Sequence, residues 1–222
     1  MAEIKRHSPV RFTVSPVTTE VRDNWTVALE YDKEGQGPWV VDLAHKARWD
    51  LQDNQLGELT PCGLGVPAVP GACTFADGTL VNRMNRTQVS IYHLGDAAPA
   101  RPEFTGYTDV TESTVFMTLF GPKVFFIAEK LTSLDFMNPG KRAPFLLQGP
   151  FCHVPCQIVT LEKAADGHGG FLLTCSRGYG DSMVHAVLEA GAEFGLRPAG
   201  ENRFSSWIQA LSGRGLSGRH DA

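Results

Sequence analysis

Residues 114–131 read TVFMTLFGPKVFFIAEKL, and this stretch decides the fold class. Its first part, Thr114–Phe120, is rich in β-branched and aromatic residues and predicts a strand. Gly121 and Pro122 then open a helix, because proline fits the first helical turn, where its missing N–H costs nothing. The apolar residues that follow recur at the spacing of one helical face, namely Val124, Ile127, Ala128 and Leu131.

More strands and a second helix follow this pair of elements. Alternating or β-branched runs predict strands within Phe145–Gln148, Cys156–Leu161 and Gly170–Ser176. The last helix is predicted to begin near Asp181 or Ser182, either of which is suited to cap it, and Gly195 is suited to end it. The order β-α-β-β-β-α predicts an α+β fold with helices on one face of an antiparallel sheet.

The first half of the chain is also predicted to contain strands. Asp77 and Gly78 form a turn dipeptide that predicts a hairpin, and Gln88–Leu94 alternates as a strand does. Gly95–Phe104 contains two prolines and is the best linker candidate, so the protein is expected to divide near residue 100.

Composition and charge exclude several classes of protein. The chain has 222 residues, of which 42% are hydrophobic and 20% charged, and its formal net charge is -4. Nucleic-acid binders carry a strong basic excess, so no nucleic-acid partner is expected. No apolar run approaches the roughly 18 residues of a membrane-spanning helix, and no apolar core follows the charges of Met1–His7, so neither a membrane span nor a signal peptide is expected.

Five cysteines without a repeated C-x-x-C frame predict a reducing, cytoplasmic location. Cys152, His153 and Cys156 invite a metal-site hypothesis, since they place two thiols and an imidazole within five residues. Structural zinc needs four ligands, usually as two separated pairs, and no second pair is in evidence. We therefore expect no metal and predict strand cysteines that are buried.

Two groups of residues suggest a binding site. Asn82, Arg83, Asn85 and Arg86 combine guanidinium forks with amides, which suits a carboxylate ligand; the alternative is a solvated hairpin edge or a subunit contact. Arg177 and Tyr179 lie between a predicted strand and helix, where function often resides. The alternative is that Tyr179 packs while Arg177 pairs with Asp181. His45 is predicted to be a hydrogen-bonded structural histidine.

Several motifs resemble the glycine-cleavage T-protein (aminomethyltransferase) family. Tyr107–Thr111, Leu119–Lys123 and Glu129–Asp135 resemble the middle of T-proteins, and Leu188–Gly200 is similar to their G-L-x-P-x-G signature. Asp42–His45 resembles the D-[VL]-S-H opening of the first T-protein domain, and Asp77-Gly78 its D-G-G turn. The resemblance covers about residues 40 to 204.

The size of the chain and its Arg177–Tyr179 element look more like the small gamma subunits of heterotetrameric sarcosine oxidases. Arg6–Val10 is also similar to the R-x-S-P-[LV] opening of gamma chains. This resemblance implies two T-protein-like units, each of a ferredoxin-like antiparallel sheet plus helices, without the C-terminal barrel domain of full T-proteins. The implied segments are an N-terminal extension (1–38), a first half (39–98), a second half (105–204) and a C-terminal tail (205–222).

Catalytic features of T-proteins are absent. Where the family has the aspartate pair of D-G-G-x-x-D-D, this sequence has Asn82 and Arg83, and an amide serves poorly where a carboxylate must move a proton. The pterin-binding glutamate of Y-T-G-E-x-G is matched poorly by Glu162, and the L-R-x-E segment is missing. The resemblance therefore implies no catalytic residues in this chain.

The implied function is that of a noncatalytic gamma-type subunit of a sarcosine-oxidase-like complex in tetrahydrofolate-linked one-carbon metabolism. Larger flavoprotein subunits are its implied partners, and FAD, FMN and NAD belong to those subunits. Tetrahydrofolate stays open as a ligand of this chain, with Asn82, Arg86, Arg177 and Tyr179 as the candidate cofactor-binding residues. Two alternatives remain open: a compact tetrahydrofolate-dependent aminomethyl or methyl transferase using Asp77 and the Asn82–Arg86 cluster, or a free-standing folate-binding module.

Overall fold

The computed structural model describes residues 4–96, 100 and 105–213, and within these ranges the chain forms three sheets and three α-helices. Most of the predicted linker Gly95–Phe104 lies outside the described residues. No helix in these ranges is long and apolar enough to cross a lipid bilayer. The elements are, in chain order, β1 (Pro16–Arg22), β2 (Trp25–Tyr31), β3 (Trp39–Asp42), β4 (Arg48–Gln52), β5 (Cys73–Ala76), β6 (Thr79–Arg83), β7 (Gln88–His93), β8 (Tyr107–Asp109), β9 (Thr114–Gly121), α1 (Val124–Glu129), β10 (Phe145–Phe151), β11 (Val154–Lys163), β12 (Gly169–Ser176), α2 (Gly180–Gly191), β13 (Arg197–Pro198) and α3 (Glu201–Gly213).

A six-stranded sheet forms the middle layer of the molecule. Its strand order is β10-β11-β12-β9-β3-β13, antiparallel throughout except for the short parallel pair of β13 and β3. The alternation of β9 distributes its side chains between two cores: Val115, Met117 and Leu119 pack with α1 and α2. Phe116 and Phe120 face the opposite side, toward the second sheet and α3. The predicted order β-α-β-β-β-α is thus confirmed for β9 to α2.

The two predicted helices are present, but their ends differ from the predictions. The apolar face of α1 is buried as predicted, although the helix ends at Glu129, before Leu131. Neither Asp181 nor Ser182 caps α2, because the helix begins at Gly180 and Ser182 Oγ instead donates to the Tyr179 carbonyl at 3.0 Å. A Cβ at position 180 would lie 2.1 Å from the Pro9 carbonyl oxygen, so glycine lets the helix start against this segment. Gly195, at a φ of 74°, ends a short 3-10 turn after α2 as predicted.

A second, antiparallel sheet has the strand order β5-β6-β7-β4-β8. The hairpin predicted at Asp77 and Gly78 is confirmed, with both residues at positive φ between β5 and β6. This sheet does not coincide with the predicted first half, residues 39–98. β3 comes from that half but pairs with β9 in the six-stranded sheet, whereas β8 lies beyond it in sequence and pairs with β4. Each predicted half therefore contributes one strand to the sheet of the other.

The described parts of the predicted extension and tail, residues 4–38 and 205–213, belong to the folded structure. β1 and β2, within residues 1–38, form a two-stranded sheet, and Trp25 and Val27 of β2 are buried. The tail predicted from residue 205 is helical as far as Gly213, because apolar residues at the i, i+4, i+7 spacing of one face bury that helix against the second core. These residues are Phe204, Ile208 and Leu211.

Candidate functional site

A cavity of about 590 Å³ lies where the β1–β2 hairpin, the β3–β4 turn, the end of β7 and the segment from β8 to β9 meet. Trp25 and Trp49 contribute aromatic side chains to its wall. This volume lies within the range of small-molecule sites, about 300–1,000 Å³. The charged residues of its wall are Arg6, Arg22, Asp23, Lys46, Asp96, Asp109 and Glu112.

A buried carboxylate behind this wall holds three of the surrounding elements together. Glu201, the first residue of α3, is 2% exposed. Its carboxylate accepts hydrogen bonds from Arg22 Nη1 at 2.5 Å and from His45 Nε2 at 2.9 Å, and Lys46 Nζ lies 2.5 Å away. Glu201 thus joins α3 to the β1–β2 hairpin and to the β3–β4 turn.

The electrostatic environment of Glu201 favours its charged form. Burial alone would raise the pKa of this carboxyl, but the hydrogen bonds and positive charge of His45 and Lys46 outweigh it and lower the pKa to about 2. Lys46 is itself buried, and its ammonium also donates to the Gly95 carbonyl at 2.8 Å and to Asp96 Oδ1 at 3.4 Å. Both charges are therefore compensated inside the protein.

Arg48 fixes the opposite side of the β3–β4 turn. Its fully buried guanidinium donates to the carbonyl of Lys46 at 2.8 Å, to that of Thr114 at 3.3 Å and to that of Thr111. It also stacks 4.6 Å from the ring centre of Phe116, and burial lowers the pKa of Arg48 to about 10. These bonds tie the turn to the segment that connects β8 and β9, which forms the adjacent wall of the cavity.

The charges of the wall nearly cancel, with an excess of one carboxylate. Three permanent cations, Arg6, Arg22 and Lys46, stand against four carboxylates. Arg6 pairs with Asp23 and, at 3.1 Å, with Glu112. Asp109 accepts a hydrogen bond from the Thr111 N–H at 2.9 Å. Such a lining suits a ligand that offers hydrogen-bond donors and an aromatic surface better than it suits a bare anion.

The structure does not bring the predicted residues Asn82 and Arg86 together in a pocket. Asn82 is fully buried in β6, where its Nδ2 donates to Ser90 Oγ at 3.3 Å and its Oδ1 has no protein partner. Arg83 is occupied by its own hairpin, since it donates to the carbonyls of Asn85 at 2.6 Å and Arg86 at 2.7 Å. Arg86 is exposed.

Arg177 and Tyr179 lie at the junction of β12 and α2. Arg177 does not pair with Asp181; its guanidinium donates to the Glu112 carbonyl at 3.1 Å and to the His7 carbonyl. Because Glu112 lines the cavity, Arg177 supports that wall from behind. Tyr179 is 46% exposed, and this exposure alone does not indicate a binding site.

Two structural predictions can be checked directly. His45 is a hydrogen-bonded interior histidine, as predicted, with Glu201 as its partner. Cys156 is buried in β11 as predicted, but Cys152 is not a strand residue: it is half-buried at positive φ in the turn between β10 and β11. Across the described part of the chain, no group of three or more His, Cys, Asp and Glu side chains is placed to hold a metal ion.

Sequence reasoning missed Arg22, Lys46 and Glu201. Lys46 directly follows the motif Asp42–His45, which was singled out. Glu201 directly follows the signature that ends at Gly200, and it begins a segment with helical periodicity. Acidic residues are favoured in the first turn of a helix. The helical periodicity of this segment indicates α3, but nothing in the sequence places Glu201 beside Lys46.

Comparisons with known proteins give a match at the level of the fold. No family model and no curated protein matches the sequence. Among solved structures, a chain of the heterotetrameric sarcosine oxidase from Corynebacterium sp. U-96, determined in complex with pyrrole 2-carboxylate, superposes with a TM-score of 0.58. The fold of this chain is therefore similar to that of the matched sarcosine oxidase chain. The superposition covers 70% of this chain and 84% of that chain at 16% sequence identity, so the matched chain is the shorter of the two.

Proposed function

We propose that this protein is a noncatalytic, gamma-type subunit of a sarcosine-oxidase-like complex. It packs on larger flavoprotein subunits that demethylate sarcosine oxidatively in tetrahydrofolate-linked one-carbon metabolism. The observation that carries the proposal is the likeness of fold to a chain of a heterotetrameric sarcosine oxidase, most of whose length is covered. This support is an analogy of fold, and because one fold can carry different functions the role needs a direct test.

The surroundings of the aligned catalytic positions support a noncatalytic role. Asn82 is fully buried, and the guanidinium of Arg83 donates hydrogen bonds to carbonyls of its own hairpin. Glu162, the position nearest the family's pterin-binding glutamate, accepts a hydrogen bond from Trp207 Nε1 at 3.0 Å. The positions of the family's aspartate pair thus hold a buried amide and a hydrogen-bonded guanidinium instead of carboxylates, which supports a noncatalytic role.

Co-purification tests this proposal. The tagged 222-residue chain, expressed in its native host, is expected to co-purify with a larger protein that carries flavin absorbance and oxidises sarcosine. A matched sample with the tag on an unrelated protein controls for adhesion to the resin. Recovery of the chain alone from lysates that contain active sarcosine oxidase would contradict the proposal.

The cavity favours a second candidate function, tetrahydrofolate binding. A pterin ring presents hydrogen-bond donors that carboxylates such as Asp109 accept. Isothermal titration calorimetry of the isolated chain with tetrahydrofolate tests this function, with Asp109→Asn as the variant and Asp181→Asn, at an exposed aspartate that does not line the cavity, as its control. Binding that only Asp109→Asn weakens supports a folate module, and binding with turnover of an aminomethyl or methyl donor supports the transferase. Absence of tetrahydrofolate binding would contradict this second candidate function.

A further inference from the structure

The outer edge of β1 is an unpaired strand edge that exposes two valines. β1 pairs with β2 on one side, and no described residue pairs with its other side. Val17 is 66% and Val21 is 71% exposed, and the residues between them are exposed as well. The strand carries no lysine or proline between these valines that would block pairing with another chain. An edge of this kind is a template for strand addition.

The hairpin geometry shows which backbone groups of β1 point outward. Asp23 and Asn24, both at positive φ, form a two-residue turn, so the flanking pair Arg22 and Trp25 is hydrogen-bonded within the hairpin. Because antiparallel pairs alternate, the N–H and C=O groups of Val21 point away from β2, and so do those of Thr19. These are the groups that a further strand would bind.

The sequence of this edge reads nearly the same in both directions. This symmetry favours the same edge of a second copy as the strand that binds it. We infer that the edge binds the same edge of a second copy of this chain, antiparallel and centred on Thr19. In that register Val17 lies opposite the other copy's Val21, the two Thr19 residues pair, and Glu20 lies opposite Thr18. The valines and Thr19 share one face of the strand, so the contact is a continuous β-branched stripe.

The two neighbouring registers, centred on Glu20 or on Thr18, are less favourable. Centring on Glu20 places the two Glu20 carboxylates directly opposite each other, and like charges in that position are destabilising. Centring on Thr18 places Val21 opposite Ser15 and loses the valine pair. A two-fold arrangement also closes after two copies, so it covers both edges without forming a filament. The inference concerns the chain by itself and stands apart from the proposed flavoprotein partner.

Light scattering with size-exclusion chromatography tests the inference on the full-length chain. The expected mass is about twice 24.2 kDa. Thr19→Pro removes the central outward N–H, and Val21→Lys places a charge in the stripe, so each variant is expected to run at the monomer mass. Val69→Lys changes a valine that is 64% exposed elsewhere and is expected to remain a dimer. Far-ultraviolet circular dichroism confirms that each variant is folded.

Cysteine cross-linking fixes the register. In a Cys62→Ser background, which removes the exposed native thiol, Thr19→Cys is expected to give a covalent dimer under mild oxidation, and Thr18→Cys is expected to give no covalent dimer. A wild-type chain that is monomeric at all concentrations overturns the inference, as does cross-linking through Thr18→Cys alone. If Val21→Lys instead abolishes recovery of a larger partner while the wild-type chain is a monomer, the edge belongs to that partner and self-pairing is refuted. The sarcosine oxidation assay of co-purified material tests the proposed function independently.

Discussion

Replacing Glu201 with glutamine tests the role of the buried charge cluster. The side chain keeps its shape in Glu201→Gln, but Lys46, which is buried, loses the carboxylate 2.5 Å from its ammonium. The pKa of Glu201 is lowered from 4.5 to about 2. At about 1.4 kcal/mol per pKa unit, this shift corresponds to about 3 kcal/mol of stability at neutral pH. Removing one partner of a buried ion pair costs about 3–5 kcal/mol, which agrees with that magnitude.

The same shift predicts a pH dependence with a definite sign. A carboxyl whose pKa is lower in the folded state stabilises the protein above its unfolded pKa of 4.5, and this stabilisation is lost as the pH falls toward about 2. Between these values the unfolded chain binds more protons, so the free energy of unfolding rises with pH. Glu201→Gln is expected to lack this contribution over the whole range.

Urea denaturation at pH 7 and along a series from pH 5 to pH 2 measures both effects. We expect Glu201→Gln to lower the free energy of unfolding by about 3 kcal/mol at pH 7 and to flatten the acid limb. Glu193→Gln is the control, since its pair with Lys130 is largely exposed and is worth about 0–1 kcal/mol. A loss below about 1 kcal/mol with an unchanged acid limb would refute the assignment of Glu201 as the charge that joins these elements.

Three further substitutions test how the walls of the cavity are held. Phe204→Ala is expected to lower the free energy of unfolding in urea by about 3–5 kcal/mol because the ring is fully buried, whereas the exposed Gln209→Ala changes it by less than about 0.5 kcal/mol. Gly200→Ala places a Cβ 2.0 Å from the Leu29 carbonyl oxygen, so a loss of about 1–3 kcal/mol is expected in thermal unfolding, and an unchanged melting temperature would contradict that contact. Arg48→Met leaves several buried carbonyls without a donor and is expected to cost about 3 kcal/mol or more by the same urea assay, while a neutral effect would show that the guanidinium does not support the turn.

Local patterns predicted the elements of the six-stranded sheet well. β9 to β12 were found from β-branched runs because strands buried on both faces read as nearly continuous apolar segments. The pattern within each strand does not predict that β3 and β8 each pair with the sheet formed mainly by the other half of the chain. Both strands are short, and pairing partners depend on the packing of the whole chain rather than on the pattern within a strand.

The candidate site was less accessible to sequence reasoning than the fold. Asn82 is a predicted binding residue because it belongs to a cluster of amides and guanidinium groups that suits a carboxylate, yet it is buried in β6 with Ser90 as its side-chain partner. The helix α3 was missed because serine and glycine near the end of the chain suggested a tail, although Phe204, Ile208 and Leu211 carry helical periodicity. Without α3, the position of Glu201 beside Lys46 could not be inferred.

The charge cluster links the stability of the chain to the existence of the cavity. Arg22 comes from the β1–β2 hairpin, Lys46 from the β3–β4 turn and Glu201 from α3, so the carboxylate joins three elements that are distant in sequence. Arg22 and Lys46 also line the cavity, which means that undocking α3 leaves two wall residues without their shared partner. A ligand in the cavity that favours this arrangement of Arg22 and Lys46 must therefore also stabilise the docked form of α3, because binding and docking are linked equilibria. We therefore expect a ligand that binds in the cavity to affect the rest of the protein by stabilising the docked position of α3.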